Sequence, residues 1–366
     1  MRSPTSTICA LVAACCTATC TDAERAPPGA PDVTGGDGDA GDRSEVDASS
    51  PAPPRCELPE GALVTLPADD ARHHAPAEWF YWTGHLAAAD GRRFGLHVTV
   101  LVSGPPGMGI AIAHHSLTEA PRDGGHGRYR HAVEFGLDDR SPERGFDFEV
   151  GGVAARGHDG VDRLVSSLDG SRLELAVVDE RGPVARHGVG YKVYAEGIST
   201  WYYARPRMTA RGTLALGDER VAVSGDVWFD HQWGALAPAT ASRWDWLGVS
   251  LDDGREIMVT RFPLGGGDSW GEAEVTRRDC TTAVHEGADV ALVSHGLWTS
   301  PTTGCVYPAG WTLRVGEESF TIDPLVADQE VRADPIGYWE GAAAVGGDAT
   351  GRAYVELVGY CGGPGR

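Results

Sequence analysis

The sequence predicts an all-β fold built from two consecutive antiparallel barrels. From Glu57 onward, apolar and polar residues alternate with a period of two, as in strands that bury one face. The 50 glycines and 23 prolines among 366 residues leave little room for long helices. Many short, regularly spaced strands are typical of sandwiches and barrels, and closing a sheet removes its exposed edges. The length of the chain accommodates two such barrels.

The run 94–102 shows the alternation most clearly, because every second residue from Phe94 to Val102 is apolar. Turns rich in Gly, Asp and Pro separate it from the other runs of this kind. The further predicted strands are 79–86, 108–116, 145–154, 172–179, 189–196, 199–205, 221–233, 244–251, 255–262, 311–315, 338–345 and 352–360. The alternation stops near residues 234–240, so we place the two barrel domains at 56–236 and 237–361.

The N-terminus is typical of an exported lipoprotein. A short apolar run ends in Val12-Ala13-Ala14-Cys15, which resembles a lipobox, so we expect residues 1–14 to be a signal peptide and Cys15 to be lipidated. A plain secretory signal and a mis-chosen start codon are the alternatives. Residues 15–55 consist largely of small and acidic residues with Pro and Gly, and we expect a disordered linker. The expected location is the periplasm or the cell surface, with the chain anchored in a membrane.

Charge and hydropathy limit the partners. The net charge of -21 argues against a nucleic-acid surface, because phosphate binding needs clustered Lys and Arg. No stretch reaches the roughly 18 to 20 apolar residues of a spanning helix. We therefore expect contact with a membrane only through the N-terminal lipid.

Four cysteines fall in the predicted barrels: Cys56, Cys280, Cys305 and Cys361. They allow three pairings, and an oxidising compartment makes disulfides the expected state. We expect Cys280 to pair with Cys305 and Cys56 with Cys361, with reduced buried thiols as the alternative. Their spacing does not fit a zinc site, and we predict no metal.

The most distinctive segment is 228–234, WFDHQWG. On a regular strand Phe229, His231 and Trp233 share one face, while Asp230 lies on the other, so Asp230 and His231 do not form one hydrogen-bonded dyad. We expect one face to line a ligand cavity and the other to pack at the domain junction. Indole walls suit a flat apolar ligand and an imidazole supplies a titratable proton. A buried polar cluster that pins the domains together is the alternative.

Other aromatic segments extend this candidate site. The predicted catalytic residues are Asp230 and His231. The predicted ligand-binding residues are Trp82, Tyr203, Trp233, Trp244, Trp246 and His114. Each aromatic segment alone fits core packing, but 11 tryptophans is a high count for two domains of this size.

These segments also carry a family resemblance. In order along the chain they are 78–84 (EWFYWTG), 203–208 (YARPRM), 228–234 (WFDHQWG), 244–246 (WDW), 338–341 (YWEG) and 354–360 (YVELVGY). They resemble the signatures of the lipocalin-like family of carotenoid 1,2-hydratases and AttH-type proteins, over about residues 60–361.

The resemblance implies two lipocalin-like barrels with a ligand cavity near their junction. The family's hydratases protonate a carbon–carbon double bond and add water without a metal or organic cofactor. They carry a Tyr and an Asp on the strand after the WDW segment, whereas the matching residues 256–261 here read EIMVTR. The chain is therefore more similar to the AttH-type branch.

These observations lead to one expectation of function and one alternative. The leading interpretation is a membrane-tethered protein that binds an apolar isoprenoid or polyketide-like molecule and hydrates or cyclises it. The alternative is a non-catalytic lipid or pigment carrier with the same cavity. A glycan-binding module would need an open aromatic platform instead of a pocket.

Overall fold

The computed structural model describes residues 54–104, 109–122, 125–138, 140, 142–195, 197–235, 243–263, 269–333 and 336–361. These residues belong to one compact unit. The predicted signal peptide, Cys15 and the linker up to residue 53 lie outside the described residues. No helix in the described part of the chain is long and apolar enough to cross a membrane.

The first barrel contains twelve strands. They are β1 (Ala77–Ala88), β2 (Arg93–Ser103), β3 (Gly109–Glu119), β4 (Arg128–Asp138), β5 (Phe146–Val150), β6 (Val153–His158), β7 (Val161–Leu168), β8 (Ser171–Val178), β9 (Val184–Ala185), β10 (Tyr191–Ala195), β11 (Ile198–Leu216) and β12 (Glu219–Ala235). A 3-10 turn, Ala68–Asp70, precedes them.

The second barrel and a small hairpin follow. The strands are β13 (Trp244–Leu251), β14 (Glu256–Pro263), β15 (Ser269–Thr276), β16 (Thr282–Glu286), β17 (Val290–Ser294), β18 (Leu297–Thr299), β19 (Val306–Pro308), β20 (Trp311–Val315), β21 (Glu318–Pro324), β22 (Glu330–Ala333), β23 (Ile336–Gly347) and β24 (Gly351–Val358). A second 3-10 turn spans Gly287–Asp289, and β18 pairs only with β19.

Both large sheets are antiparallel and nearly closed. The first runs β4-β3-β2-β1-β12-β11-β8-β7-β6-β5, with β9 and β10 added to β11. Its edges approach one another where Gly136 of β4 lies against Val150 of β5. The second runs β16-β15-β14-β13-β24-β23-β21-β20-β17, with β22 added to β23. The predicted fold class, two consecutive all-β barrels, is confirmed. The sheets change between Ala235 and Trp244, close to the predicted domain boundary.

The predicted runs do not include β4, β7, β9, β15, β16, β17, β18, β19, β21 and β22. Two of the differences from the predicted strands have local causes. The predicted strand 145–154 is two strands, because Gly151 adopts a positive φ of 54° and the chain turns there between β5 and β6. Strand β15 was not predicted, since its inward residues include the small Ala273 while Glu272 and Glu274 occupy its other face. A strand with so little apolar surface gives a weak alternation signal.

Proline explains an irregularity in the longest strand. The register of β11 against β12 shifts between Arg205 and Met208, around Pro206. Proline has no N–H to give to the ladder, so strands tolerate it at such irregularities. The two halves of β11 consequently have different neighbours, β9 and β10 before the shift and β8 after it.

Apolar side chains form three clusters. One fills the first barrel around Phe80, Trp82 and Phe229, and one fills the second around Trp311 and Trp339. The third lies between the barrels and contains Tyr81, Tyr202, Ala204, Trp228, Trp246, Met258, Ala342 and Tyr354. We call this third region the junction. The barrels approach closely there, because a Cβ on Gly95 would come within 2.4 Å of the Ala342 Cβ.

The disulfide pairing predicted from the sequence is wrong. Cys56 pairs with Cys280, and Cys305 pairs with Cys361. The backbone N–H of Cys56 donates to Arg181 O (2.7 Å), and the Arg181 guanidinium donates to the carbonyls of Arg277 and Arg278. Arg181 therefore holds the segment that precedes the first barrel beside the turn that carries Cys280.

Candidate functional site

The distinctive segment on β12 has two faces with different surroundings. The register with β1 is regular from Trp228 to Trp233, and the register with β11 is regular from Phe229 to Trp233, so the side chains alternate. Phe229, His231 and Trp233 point into the first barrel, and Trp228 belongs to the junction. Asp230 accepts hydrogen bonds from Tyr202 Oη and Trp228 Nε1, both on the junction side. Asp230 and His231 therefore have no common partner.

Three of the predicted ligand-binding aromatics lie inside the first barrel: Trp82, Tyr203 and Trp233. Trp82 Nε1 donates to Asp162 Oδ2 (3.0 Å), and burial raises the pKa of Asp162 to about 7. Tyr203 Oη donates to Asp70 Oδ1 (2.6 Å). The rings pack against neighbouring rings and bond buried carboxyl groups, which is the behaviour of core residues.

His231 belongs to a hydrogen-bonded cluster at one end of the first barrel. Its Nε2 lies 2.9 Å from Glu78 Oε1 and its Nδ1 lies 3.0 Å from Asp69 O. His73 approaches the same Glu78 oxygen at 3.2 Å through Nδ1, and its ring stacks on Trp233 with centroids 3.7 Å apart. Burial opposes ionisation of Glu78, but the bonds from His231 and His73 outweigh it and lower its pKa to about 2.

The remaining predicted residues lie at the junction. Trp246 packs edge-to-face on Trp228, with centroids 5.8 Å apart, and Gly248 leaves room for both rings. Trp244 Nε1 donates to Glu356 Oε2 (2.9 Å). His114 meets Tyr338 Oη at 2.8 Å, and burial lowers the pKa of His114 to about 4, so this ring is neutral near pH 7. The predicted site residues thus divide between the first barrel and the junction, and the structure does not bring them together around one cavity.

A buried glutamate, Glu340, and a half-buried one, Glu356, complete the junction, and the sequence analysis did not select them. Glu340 and Glu356 are register partners on β23 and β24. Tyr81 Oη donates to Glu340 Oε1 (2.7 Å), while Glu340 Oε2 has no hydrogen-bond partner among the described residues. Burial, and after it the negative charge of Glu356, raises the pKa of Glu340 well above its usual range. Burial raises the pKa of Glu356 to about 7.

Cations accompany the carboxylates at the other end of the junction. Glu272 pairs with Lys192 and with His187 (2.7 Å), and Glu256 pairs with Arg207 (2.7 Å). Arg186 is fully buried, lies over the Trp228 ring at 4.9 Å and sits 3.7 Å from Glu274. In the described part of the chain, by contrast, no cation pairs with Glu340 or Glu356. One end of the junction therefore carries carboxyl groups that stay protonated, whereas the carboxylates at the other end are ion-paired.

One cavity lies at the junction and another lies in the second barrel. The first, of about 20 Å³, lies at the junction beside Trp228, Gly248 and Tyr354. That volume holds about one water molecule. The second, of about 260 Å³, lies at the seam of the second barrel and is lined by Val259, Arg261, Gly271, Gly287, Val290, Ala291 and Leu292.

Among the described residues, three sets of three side chains bring metal-ligating atoms within 4.8 Å of one another: His73, Glu78 and His231; His187, Glu272 and Glu274; and Cys305, Glu330 and Cys361. The two cysteines of the third set form a disulfide. In the second set Lys192 and Arg186 already lie against the carboxylates. Chemically, the junction offers carboxyl groups that hold a proton near neutral pH, and the end of the first barrel offers imidazoles around a carboxylate.

Comparison with known proteins supports the fold. The AttH-like family model matches residues 57–360. A protein from Nitrosomonas europaea assigned to AttH is 23% identical, with a TM-score of 0.74, over 83% of this chain and 99% of that one. Kievitone hydratase from Nectria haematococca is 18% identical, with a TM-score of 0.66, over 84% of this chain and 96% of that one. No curated protein is significantly similar in sequence. Because the family match spans both barrels, the chain belongs to the AttH-like family.

Proposed function

We propose that the chain binds an apolar small molecule, isoprenoid or polyketide-like, at the junction and protonates one of its carbon–carbon double bonds, so that hydration or cyclisation follows. The observation that carries this proposal is the pair Glu340 and Glu356, one buried and one half-buried carboxyl group on neighbouring strands, with no cation paired to either among the described residues. A fold of two barrels is suited to small-molecule binding.

Protonation of an alkene requires an acid that keeps its proton until the substrate arrives. A carboxyl group with a pKa of about 7, as in Glu356, is protonated in half of the molecules near neutral pH. Glu340 Oε2 has no protein partner in the described part, so its proton is free for a ligand. The rings of Tyr81, Trp228 and Trp246 line the same region, and aromatic faces stabilise the cation that protonation creates.

Hydration also needs one water molecule beside the cation. The junction cavity of about 20 Å³ has the volume for it and is lined by Trp228 and Tyr354. A larger substrate does not fit this packed junction, so the proposal requires the facing side chains to part when the substrate enters. Kievitone hydratase, which shares the fold, is named for a water-adding reaction, and this makes hydration the first reaction to test.

The test is deuterium incorporation. Purified protein is incubated in D₂O with lycopene and, separately, with kievitone, and the products are analysed by mass spectrometry for added water and carbon-bound deuterium. We expect Glu356→Gln and Glu340→Gln to lower turnover at least about tenfold, because a general acid contributes about 10²–10⁴-fold. Glu318→Gln, on an exposed ion pair with Arg255, is the matched control. Turnover that is unchanged in both junction variants contradicts the proposal.

A non-catalytic carrier is the second candidate, and the cavity in the second barrel favours it. Its volume of about 260 Å³ approaches the roughly 300–1,000 Å³ of ligand pockets, and it combines apolar Val259 and Leu292 with one arginine. A carrier would bind retinol or palmitate there without changing them. Leu292→Trp would then abolish binding, whereas Glu356→Gln would not.

We also propose that the chain is exported and anchored by a lipid on Cys15. The support is the sequence Val12-Ala13-Ala14-Cys15 followed by a linker rich in small and acidic residues. The two disulfides agree with an oxidising compartment. An anchored binding protein would meet apolar ligands at a membrane surface.

A further inference from the structure

The end of the first barrel holds three metal-ligating side chains: His73 and Glu78, which are five residues apart, and His231 from a distant strand. Their ligand atoms lie within 4.8 Å of one another. The side chains of Glu78 and His231 are fully buried, whereas that of His73 is 21% exposed. An ion could therefore reach the cluster past His73.

Each imidazole is oriented by a second oxygen on its far side. His231 Nδ1 lies 3.0 Å from Asp69 O, and His73 Nε2 lies 3.2 Å from Asp69 Oδ1. The other two nitrogens, His231 Nε2 and His73 Nδ1, converge on Glu78 Oε1 at 2.9 and 3.2 Å. Metal-binding histidines show the same arrangement, in which the outer N–H donates to a carbonyl or carboxylate and the inner nitrogen faces the metal.

The proton count of this cluster points to a cation. Each of the four ring nitrogens faces an oxygen that can only accept a hydrogen bond. All four contacts are therefore hydrogen bonds only when both imidazoles are doubly protonated and positively charged. Two adjacent imidazolium groups repel each other, and burial of charge is costly. One divalent ion between His73, His231 and Glu78 supplies the same two positive charges and leaves both rings neutral.

The ring geometry fits one ion. Two imidazoles bound to a tetrahedral zinc through bonds of about 2.0–2.1 Å place their ring centroids about 5 Å apart. The centroids of His73 and His231 are 5.3 Å apart. The guanidinium of Arg72 lies 3.9 Å from Glu78 Oε2. Both imidazoles make their contacts with the other oxygen, Oε1, so Arg72 does not take the place of the ion there.

We propose that His73, Glu78 and His231 bind a divalent transition-metal ion, zinc above all, with Asp69 orienting both imidazoles. Three protein ligands leave the fourth position of a tetrahedral ion for a water molecule. The sequence analysis predicted no metal site, because it considered the spacing of cysteines and not these three residues. The site does not depend on the proposed proton transfer at the junction.

The test uses the full chain after removal of metal with EDTA. Zn²⁺ is titrated by calorimetry, and Co²⁺ is titrated by visible absorption, since tetrahedral Co²⁺ absorbs strongly. We expect one ion per chain, and a rise of Tm with Zn²⁺ because only the folded state presents the site. His73→Asn should weaken the binding of Zn²⁺ by about a hundredfold or more, because it removes a direct ligand and loss of an outer-shell partner alone costs about 10–100-fold.

The matched control is His187→Asn, from the cluster whose carboxylates already pair with Lys192 and Arg186, and it should bind Zn²⁺ like the wild type. If His231→Gln fails to fold, the partly exposed His73 still provides a variant that can be measured. Wild type without stoichiometric Zn²⁺ binding, or His73→Asn with wild-type affinity, overturns the proposal.

Discussion

Glu340 on β23 lies directly opposite Glu356 on β24, and Glu340 is buried while Glu356 is half-buried, both outside the second barrel and on the side of the first. Buried acids normally have a cationic partner. This pair instead receives neutral donors, the Tyr81 hydroxyl and the Trp244 indole. The pair therefore stays protonated at pH values where exposed glutamates are ionised, and this has a measurable consequence for stability.

The first prediction concerns Glu356→Gln. In the folded protein the pKa of Glu356 is raised from 4.5 to about 7, so the folded state keeps a proton that the unfolded chain releases above pH 4.5. Stability therefore falls as the pH rises from 4.5 to 7. At about 1.4 kcal/mol per pKa unit, the loss approaches about 3 kcal/mol above pH 7. Glutamine does not titrate, so the variant escapes this loss.

Urea unfolding of wild type and Glu356→Gln at a series of pH values between 4.5 and 8 measures the difference. The stability of the variant relative to wild type should increase over this window and then level off. Asp230, whose pKa burial raises to about 6, titrates in both proteins and cancels to first order. Parallel stability curves would show that Glu356 ionises normally.

The second prediction separates the two groups of aromatic residues. Trp246→Phe at the junction should weaken the quenching of tryptophan fluorescence by lycopene, because that ring belongs to the proposed binding region. Trp82→Phe should leave the lycopene affinity unchanged. It should instead destabilise the fold by about 1–3 kcal/mol, since buried Asp162 loses its indole donor. The reverse pattern in the fluorescence titrations would place the ligand inside the first barrel.

The alternation of residues predicts most strands and the opposite faces of Asp230 and His231, because β12 is regular there. The alternation does not show which face of a strand points into its own barrel and which face packs against the neighbouring barrel, since both faces carry apolar residues. Trp82 is on the inward face of β1, whereas Trp246 is on the outward face of β13. For this reason the aromatic residues that we expected around a single cavity lie in two separate regions.

Glu340 and Glu356 were missed because a lone glutamate in a strand usually faces solvent. A signal was present in the segment 354–358, YVELV, where the other four residues are apolar or aromatic and occupy both faces. A strand with two apolar faces is covered on both sides, so its polar residue is at least half-buried too. In the His73, Glu78 and His231 cluster, His73 and Glu78 are close in sequence, but only the three-dimensional fold brings His231 to them.

The third prediction concerns the N-terminus. Cys15→Ser removes the thiol that the proposed lipid would be attached to, so the protein should move from the membrane fraction to the aqueous fraction after cell lysis and ultracentrifugation. A single lipid chain gives only marginal membrane binding, whereas a fully processed lipoprotein carries more than one. Wild type found entirely in the aqueous fraction would contradict the tether, and Cys20→Ser is the control for loss of an ordinary thiol in the same segment.

The last prediction concerns the disulfides. Cys56–Cys280 closes a loop with a sequence separation of 224, and Cys305–Cys361 closes one of 56. On the chain-entropy model these cross-links stabilise the fold by about 5 and about 4 kcal/mol. Replacing Cys56 and Cys280 together by Ser should therefore lower the free energy of unfolding. The variant loses the link between the segment before β1 and the turn between β15 and β16.

Peptide mapping without reductant should recover both linked pairs, and urea unfolding should show the lower midpoint of the double variant. The hydrogen bonds of Arg181 to Pro54, Arg277 and Arg278 remain in that variant and keep the two segments close in the native state. We therefore expect the double variant to have a lower free energy of unfolding, while its ligand binding changes little. Recovery of a peptide that links Cys280 to Cys305 would contradict this pairing, because Cys280 would then no longer hold the segment before β1.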